Sequence, residues 1–313
     1  MSEILTILAL VASIFMGISI GASTVASAFG PVNSARSANV LRSAFLAGVF
    51  ALLGALLQGG NVAETVGSGI MQGEMQIIQA GSILLIAAAL VIISVMGDYP
   101  MPTAFTVIGA VIGSALGFGN SVLWGSVGRI IGYWVLIPFL AVALGYGISK
   151  ILRKYVSKES SQKKIRIVLL ALGCYVSYSA GASAVGLAVG PLGTLGYSTI
   201  SLLFMGGLSI LIGTWLYSPR IIRAISFDYS NIGPRRSIAA LGTAAILAQI
   251  GIYFGIPISF NEAVIAAVIG SGLVEGKSNI DGKKIGYTVA GWVLAFFVAT
   301  GLAFLTGLFI TAL

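Results

Sequence analysis

The chain has 313 residues, 58% of them hydrophobic and 8% charged, and its mean hydropathy is +1.04. One water-soluble core cannot hide that much apolar surface, so the bilayer is the expected solvent. The single Cys174 excludes an intramolecular disulfide and a cysteine-built metal site, the absence of histidine removes the commonest metal ligand and general base, and the net charge of +8 sits in short loops between apolar segments, which argues against nucleic acid as a partner.

Met1-Ser2-Glu3 lacks a basic start and no small-residue cleavage site precedes Gly21, so the first apolar segment, Ile4 to Ile20, is expected to be retained. It runs into Gly21-Ala22-Ser23-Thr24-Val25-Ala26-Ser27-Ala28-Phe29-Gly30-Pro31, where glycine and proline are expected to break the helix inside the membrane. Further crossings are expected at Val40 to Leu57, Ile77 to Met96, Thr103 to Leu116 and Ile130 to Ile148. The hydrophilic stretch from Lys150 to Arg166 carries seven Lys or Arg against one Glu159, the mark of a cytoplasmic linker. A second set follows at Ile165 to Tyr178, Ser198 to Tyr217, Ile238 to Phe254, Ile258 to Leu273 and Ile285 to Leu313.

Two motifs recur in order. The first returns as Gly181-Ala182-Ser183-Ala184-Val185-Gly186-Leu187-Ala188-Val189-Gly190-Pro191, and the helix from Val107 to Ser114 matches that from Val264 to Ser271. The chain therefore reads as a duplicated membrane unit, residues 1–149 and 165–313, joined by a basic linker at 150–164. Five crossings per unit is an odd number, which inserts the second copy upside down. With the linker inside, Arg36, Arg42, Arg220, Arg223, Arg235, Arg236, Lys277, Lys283 and Lys284 also fall inside; of the 17 Lys and Arg only Arg129 is outside, with Glu64, Glu74 and both termini. The expected fold class is an all-α polytopic protein of the cell membrane, with two inverted-topology repeats and broken or re-entrant helices. Such duplication points to a secondary transporter whose site forms where the halves meet.

A helix broken inside a membrane exposes N–H groups that, with its dipole, attract an anion without a full positive charge. Ser23, Thr24, Ser27 and Ser183 supply hydroxyls beside the expected breaks, the alternative being that these small residues only pack helices. Gly109, Gly113 and Gly117 form a stripe for which packing is the better reading. The second motif pair opens at prolines, Pro100-Met101-Pro102-Thr103-Ala104-Phe105 and Pro257-Ile258-Ser259-Phe260-Asn261-Glu262, which puts Thr103, Ser259 and Asn261 in first turns, where they could equally serve as caps. Glu262 adjoins an apolar run, and a carboxylate there is costly unless it is paired, protonated, in a watery cavity or snorkelling to the interface. It is the candidate proton relay. With no histidine and few buried acids, an enzyme is not expected, and no cofactor is implied.

These motifs resemble the inorganic phosphate transporter family, whose duplicated signature reads Gly-Ala-Asn-Asp-Val-Ala-Asn-x-x-Gly. The family's Pro-Val-Ser-Thr-Thr-His element is similar to Pro257 to Glu262 and, more loosely, to Pro100 to Phe105, and Gly59-Gly60-Asn61-Val62-Ala63-Glu64-Thr65 resembles its Gly-x-Asn-Val-x-(Asp/Glu)-Thr segment. The resemblance implies ion-coupled symport of inorganic phosphate by alternating access, the anion held by Ser23, Thr24, Ser27, Ser183, Thr103, Ser259 and Asn261. It also implies a coupling cation at the signature Asn-Asp, where this chain has Ser23-Thr24 and Ser183-Ala184 and no carboxylate. Coupling therefore falls either to H⁺ through Glu262 or to Na⁺ through oxygens such as those of Thr24 and Ser183. A sulfate or other oxyanion permease of the same fold, or a transport-inactive structural or sensory relative, are the alternatives. The oligomeric state, a homo-oligomer included, is left open.

Overall fold

The computed structural model describes residues 2–156, 162–226, 232–274, 276 and 282–312. The first half folds as helices α1 (Ser2–Ser23), α2 (Gly30–Ser34), α3 (Val40–Gln58), α4 (Gly60–Ser68), α5 (Ile77–Met96), α6 (Thr103–Gly117) and α7 (Trp124–Tyr155). The second adds α8 (Gln162–Val189), α9 (Thr199–Ala224), α10 (Pro234–Tyr253), α11 (Phe260–Leu273) and α12 (Gly282–Ala312). Local chemistry starts several of them. Asn39 caps α3 by accepting from the Arg42 N–H at 2.8 Å, and Gln76 and Gln79 form a capping box on α5.

Among the described residues, eight helices are long and apolar enough to cross a membrane, and α6 and α11 are shorter. Those two, expected as full crossings, have 15 and 14 residues. At about 1.5 Å per residue they reach roughly 22 Å, short of a hydrocarbon core of about 30 Å. Their proline-marked starts are buried inside the bundle.

The duplicated Gly-Ala-Ser segments behave differently from expectation and from each other. In the first, α1 ends at Ser23 and residues Val25–Phe29 form a 3-10 turn in which the Ser27 hydroxyl donates to the Thr24 carbonyl at 2.7 Å. In the second, Ala184 and Leu187 stand where Thr24 and Ser27 do and offer no such hydroxyl. Helix α8 runs unbroken through Ser183 to Val189 and yields only at Gly190-Pro191. Neither motif therefore opens a helix N-terminus at its serine, a correction to the sequence expectation for Ser23 to Ser27 and Ser183 to Val185.

The two halves are crossed in their packing. Helix α1 lies on α9 and its counterpart α8 lies on α3, while α6 lies on α12 and α11 on α7. Glycines permit the approach. A Cβ at Gly21 would strike the Ile210 carbonyl of α9, and one at Gly181 the Ala51 carbonyl of α3. The stripe of Gly109, Gly113 and Gly117 lies against the carbonyls of Phe296, Thr300 and Phe304 on α12, the packing role read from sequence. The basic linker is helical at both ends, since α7 runs to Tyr155 and α8 begins at Gln162. Lys158, Glu159 and Lys277 lie outside the described residues.

Candidate functional site

The end of α1 meets the starts of α6 and α11 in one buried polar cluster. The Ser23 hydroxyl accepts from the Met101 N–H at 3.1 Å and donates to the Met101 carbonyl at 3.0 Å. Asn261, from the other half, donates its Nδ2 to the same carbonyl at 2.6 Å and to Ser23 Oγ at 3.2 Å. Thr24 and Thr103 share a hydroxyl–hydroxyl bond of 2.9 Å. Four side chains from three elements and both halves are thus tied together, with no carboxylate among them.

A matching arrangement holds the second half. The Ser183 hydroxyl accepts from the Ile258 N–H at 3.1 Å, as Ser23 accepts from Met101, and Met101 and Ile258 each follow the first proline of their motif. Tryptophans fix those prolines crosswise. Trp134 of α7 donates to the Pro257 carbonyl at 2.8 Å, and Trp292 of α12 donates to the Pro100 carbonyl at 3.0 Å. The sequence reading missed both indoles, although they recur at nearly the spacing of the paired motifs.

The structure therefore brings Ser23, Thr24, Thr103 and Asn261 into direct contact, and it joins Ser183 through Ile258 to the same α11 start that carries Ser259 and Asn261. Ser27 is turned to its own backbone at Thr24. Asn261 Oδ1 is buried with no hydrogen-bond partner among the described residues, and the buried Ser259 hydroxyl and Glu262 carboxyl are neighbours, with Glu262 Oε2 outside ordinary bonding distance of any partner. All of these residues are at most 2% exposed except Glu262 at 6%, so the cluster is closed from solvent.

Helices α6 and α11 each start with first-turn N–H groups that the helix does not pair, apart from the Phe105 N–H, which donates to the Pro102 carbonyl at 3.0 Å. Among the described residues, these are the starts of longer helices at which the polar cluster gathers, and Thr103, Ser259 and Asn261 stand at them; within the first Gly-Ala-Ser motif only the five-residue α2 opens, at Gly30 and not at Ser23. Free N–H groups, the positive dipole ends of two helices and hydroxyl and amide donors suit a small oxyanion. Among the described residues no group of three or more His, Cys, Asp or Glu could hold a metal ion. Glu262 points elsewhere, into an aromatic crevice between α7 and α12.

This geometry is that of a polytopic membrane protein with a polar centre built from both halves of a duplicated chain. Residues 20–303 match the model of the phosphate transporter family, and the chain belongs to that family. It is 28% identical over 307 residues to the sulfate permease CysP of Bacillus subtilis (strain 168), covering 95% of this chain and 86% of that one. It is 22% identical over 419 residues to the chloroplastic inorganic phosphate transporter 2-1 of Arabidopsis thaliana, covering 96% and 71%. A solved structure described as the sodium-dependent phosphate transporter superposes with a TM-score of 0.87 at 19% identity, over 99% of both chains, which shows the same fold. The protein is a multi-pass integral membrane transporter, not an enzyme.

Proposed function

We propose that the protein is a secondary active transporter of inorganic phosphate, working by ion-coupled symport and alternating access. The observation that carries this reading is the buried cluster in which helix starts from both halves, α6 and α11, are held by hydroxyls of Ser23, Thr24 and Ser183. The anion would sit at those starts, contacted by Ser23, Thr24, Thr103, Ser183, Ser259 and Asn261, with Ser27 shaping the adjoining turn. The unpartnered Oδ1 of Asn261 supports a site whose bonding is completed by substrate. Crossed packing supports moving bodies that each combine helices of both repeats.

Coupling is assigned to H⁺ through Glu262, one residue beyond Asn261, ahead of Na⁺ on the oxygens of Thr24 and Ser183. The repeats, residues 1–149 and 165–313, are read as inverted, with the basic linker on the cytoplasmic side of the cell membrane and both termini outside; this counts each short helix, α6 or α11, together with the proline-marked stretch before it as one passage, which the pairing of Met71 with Val122 supports in the first half. Sulfate is the second reading, supported by the 28% identity to a sulfate permease. A fully ionised sulfate only accepts hydrogen bonds and would leave Asn261 Oδ1 unpaired, whereas a protonated phosphate can donate to it, which keeps phosphate first.

Uptake of labelled phosphate and sulfate into proteoliposomes, each with a pH gradient or a Na⁺ gradient, tests the whole reading. Phosphate accumulation driven by the pH gradient is expected, and Glu262→Gln should abolish that drive while anion exchange persists. Sulfate accumulation alone moves the assignment to the second reading. Accumulation only with Na⁺ overturns the role of Glu262, and no uptake or binding of either anion identifies a transport-inactive relative.

A further inference from the structure

A crevice on the outer surface of the bundle shares Glu262, the proposed coupling residue, with the anion site, but its aromatic walls take no part in holding the anion. It encloses about 370 Å³ between α7 and α12, with Phe105 and Glu262 among its lining residues. That volume lies within the range of small-molecule sites, about 300–1,000 Å³. Phe105 and Trp134 stack with centroids 4.2 Å apart, and Phe296 meets Trp134 edge-on at 6.4 Å. Phe139 and Phe297, at its rim, are 70% and 64% exposed on the surface that the acyl chains cover, so the opening faces lipid.

Two features set this crevice apart from an ordinary lipid groove. Both of its indoles have their N–H donors engaged with the Pro257 and Pro100 carbonyls, so the walls are aromatic carbon with no free indole donor. Glu262 is the only ionisable residue lining it, and its Oε2 has no hydrogen-bond partner among the described residues. When the carboxyl has given up its proton, an acyl chain would cover the rings but leave that oxygen charged and unpaired, which is costly. An anion would be repelled by the carboxylate. One class of ligand satisfies every element at once.

We propose that this crevice is a binding site for lipophilic organic cations of the quaternary ammonium or phosphonium type, which enter sideways from the bilayer. The cationic centre lies against the Glu262 carboxylate and its apolar substituents lie against the rings of Trp134, Phe105 and Phe296. Nothing in this assignment depends on which anion the protein carries.

Equilibrium dialysis of labelled tetraphenylphosphonium against the purified full chain in zwitterionic nanodiscs tests it without any transport step. Saturable binding of one cation per chain is expected, with tetraphenylborate, the anion of the same shape, failing to compete. Glu262→Gln should weaken binding by about tenfold or more. Phe296→Leu keeps the carboxylate and should weaken it several-fold while anion uptake stays at the parental rate, which guards against a loss caused by misfolding. Absence of saturable binding, equal competition by tetraphenylborate, or parental affinity in either variant overturns the proposal. Failure of anion uptake with cation binding intact would instead count against the transport reading alone.

Discussion

Ser23 and Ser183 do the same job on opposite halves, each accepting from the backbone N–H that follows a motif proline. Replacing Ser183 by Ala leaves the Ile258 N–H buried without that acceptor, a loss of about 1–3 kcal/mol. The variant should melt several degrees lower in a thermal-shift assay and take up anion more slowly; unchanged melting and uptake would show that the bond is dispensable. Asn261→Leu is the sharper test, because it removes the one side chain that ties the second half to Met101 and Ser23. Uptake should be lost while purified Asn261→Leu protein stays monodisperse on size exclusion. The serines, threonines and Asn261 were legible because a polar group inside an apolar run demands a partner. Which partner was not legible, since the bonds span as many as 238 residues of chain. Trp134 and Trp292 escaped notice because tryptophan in a membrane helix ordinarily reads as an interfacial anchor.

Short helices α6 and α11 owe their positions to small residues. A leucine at Gly113 would drive its Cβ into the Thr300 backbone of α12, with no flexible side chain to give way. Overpacking of this kind costs about 1–3 kcal/mol or more, so Gly113→Leu should sharply reduce the monodisperse yield in detergent. Gly128 of α7 has nothing within 4 Å of a built Cβ, and Gly128→Ala should leave yield unchanged or gain up to about 1 kcal/mol. Equal behaviour of the two variants would refute the packing account of the stripe. The stripe itself was readable from its four-residue period. The course of the Gly-Ala-Ser segments was not: near-identical motifs give way at Thr24 in one copy and only at Gly190-Pro191 in the other. Glycine alone does not stop a helix where no water competes for its backbone.

At the scale of the molecule, duplication was legible from recurring motifs, whereas the crossing of the halves was not, because nothing in a linear repeat says whose groove each helix fills. The proposed sidedness follows from loop charge and is open to test. A cysteine at Gln162 should react with an impermeant maleimide only from the cytoplasmic side, and one at Gln72 only from outside; reaction of both from one side would refute the inverted arrangement. Both positions are exposed, and the native Cys174 would be replaced by Ser first. Crossed packing also has a consequence in time. A ribosome delivers α1 to α7 first, and at that moment the notch at Gly21 lacks Ile210, the face of α3 at Ala51 lacks Gly181, and the stripe on α6 lacks Thr300. The early half must therefore wait in the bilayer with its grooves filled by lipid until its partners arrive. Severing the gene between the codons for residues 156 and 162 should make the point visible: either product alone is expected to be degraded in the cell, and the two expressed together should recover a purifiable complex. The molecule is then better regarded as a heterodimer whose subunits happen to be translated in tandem.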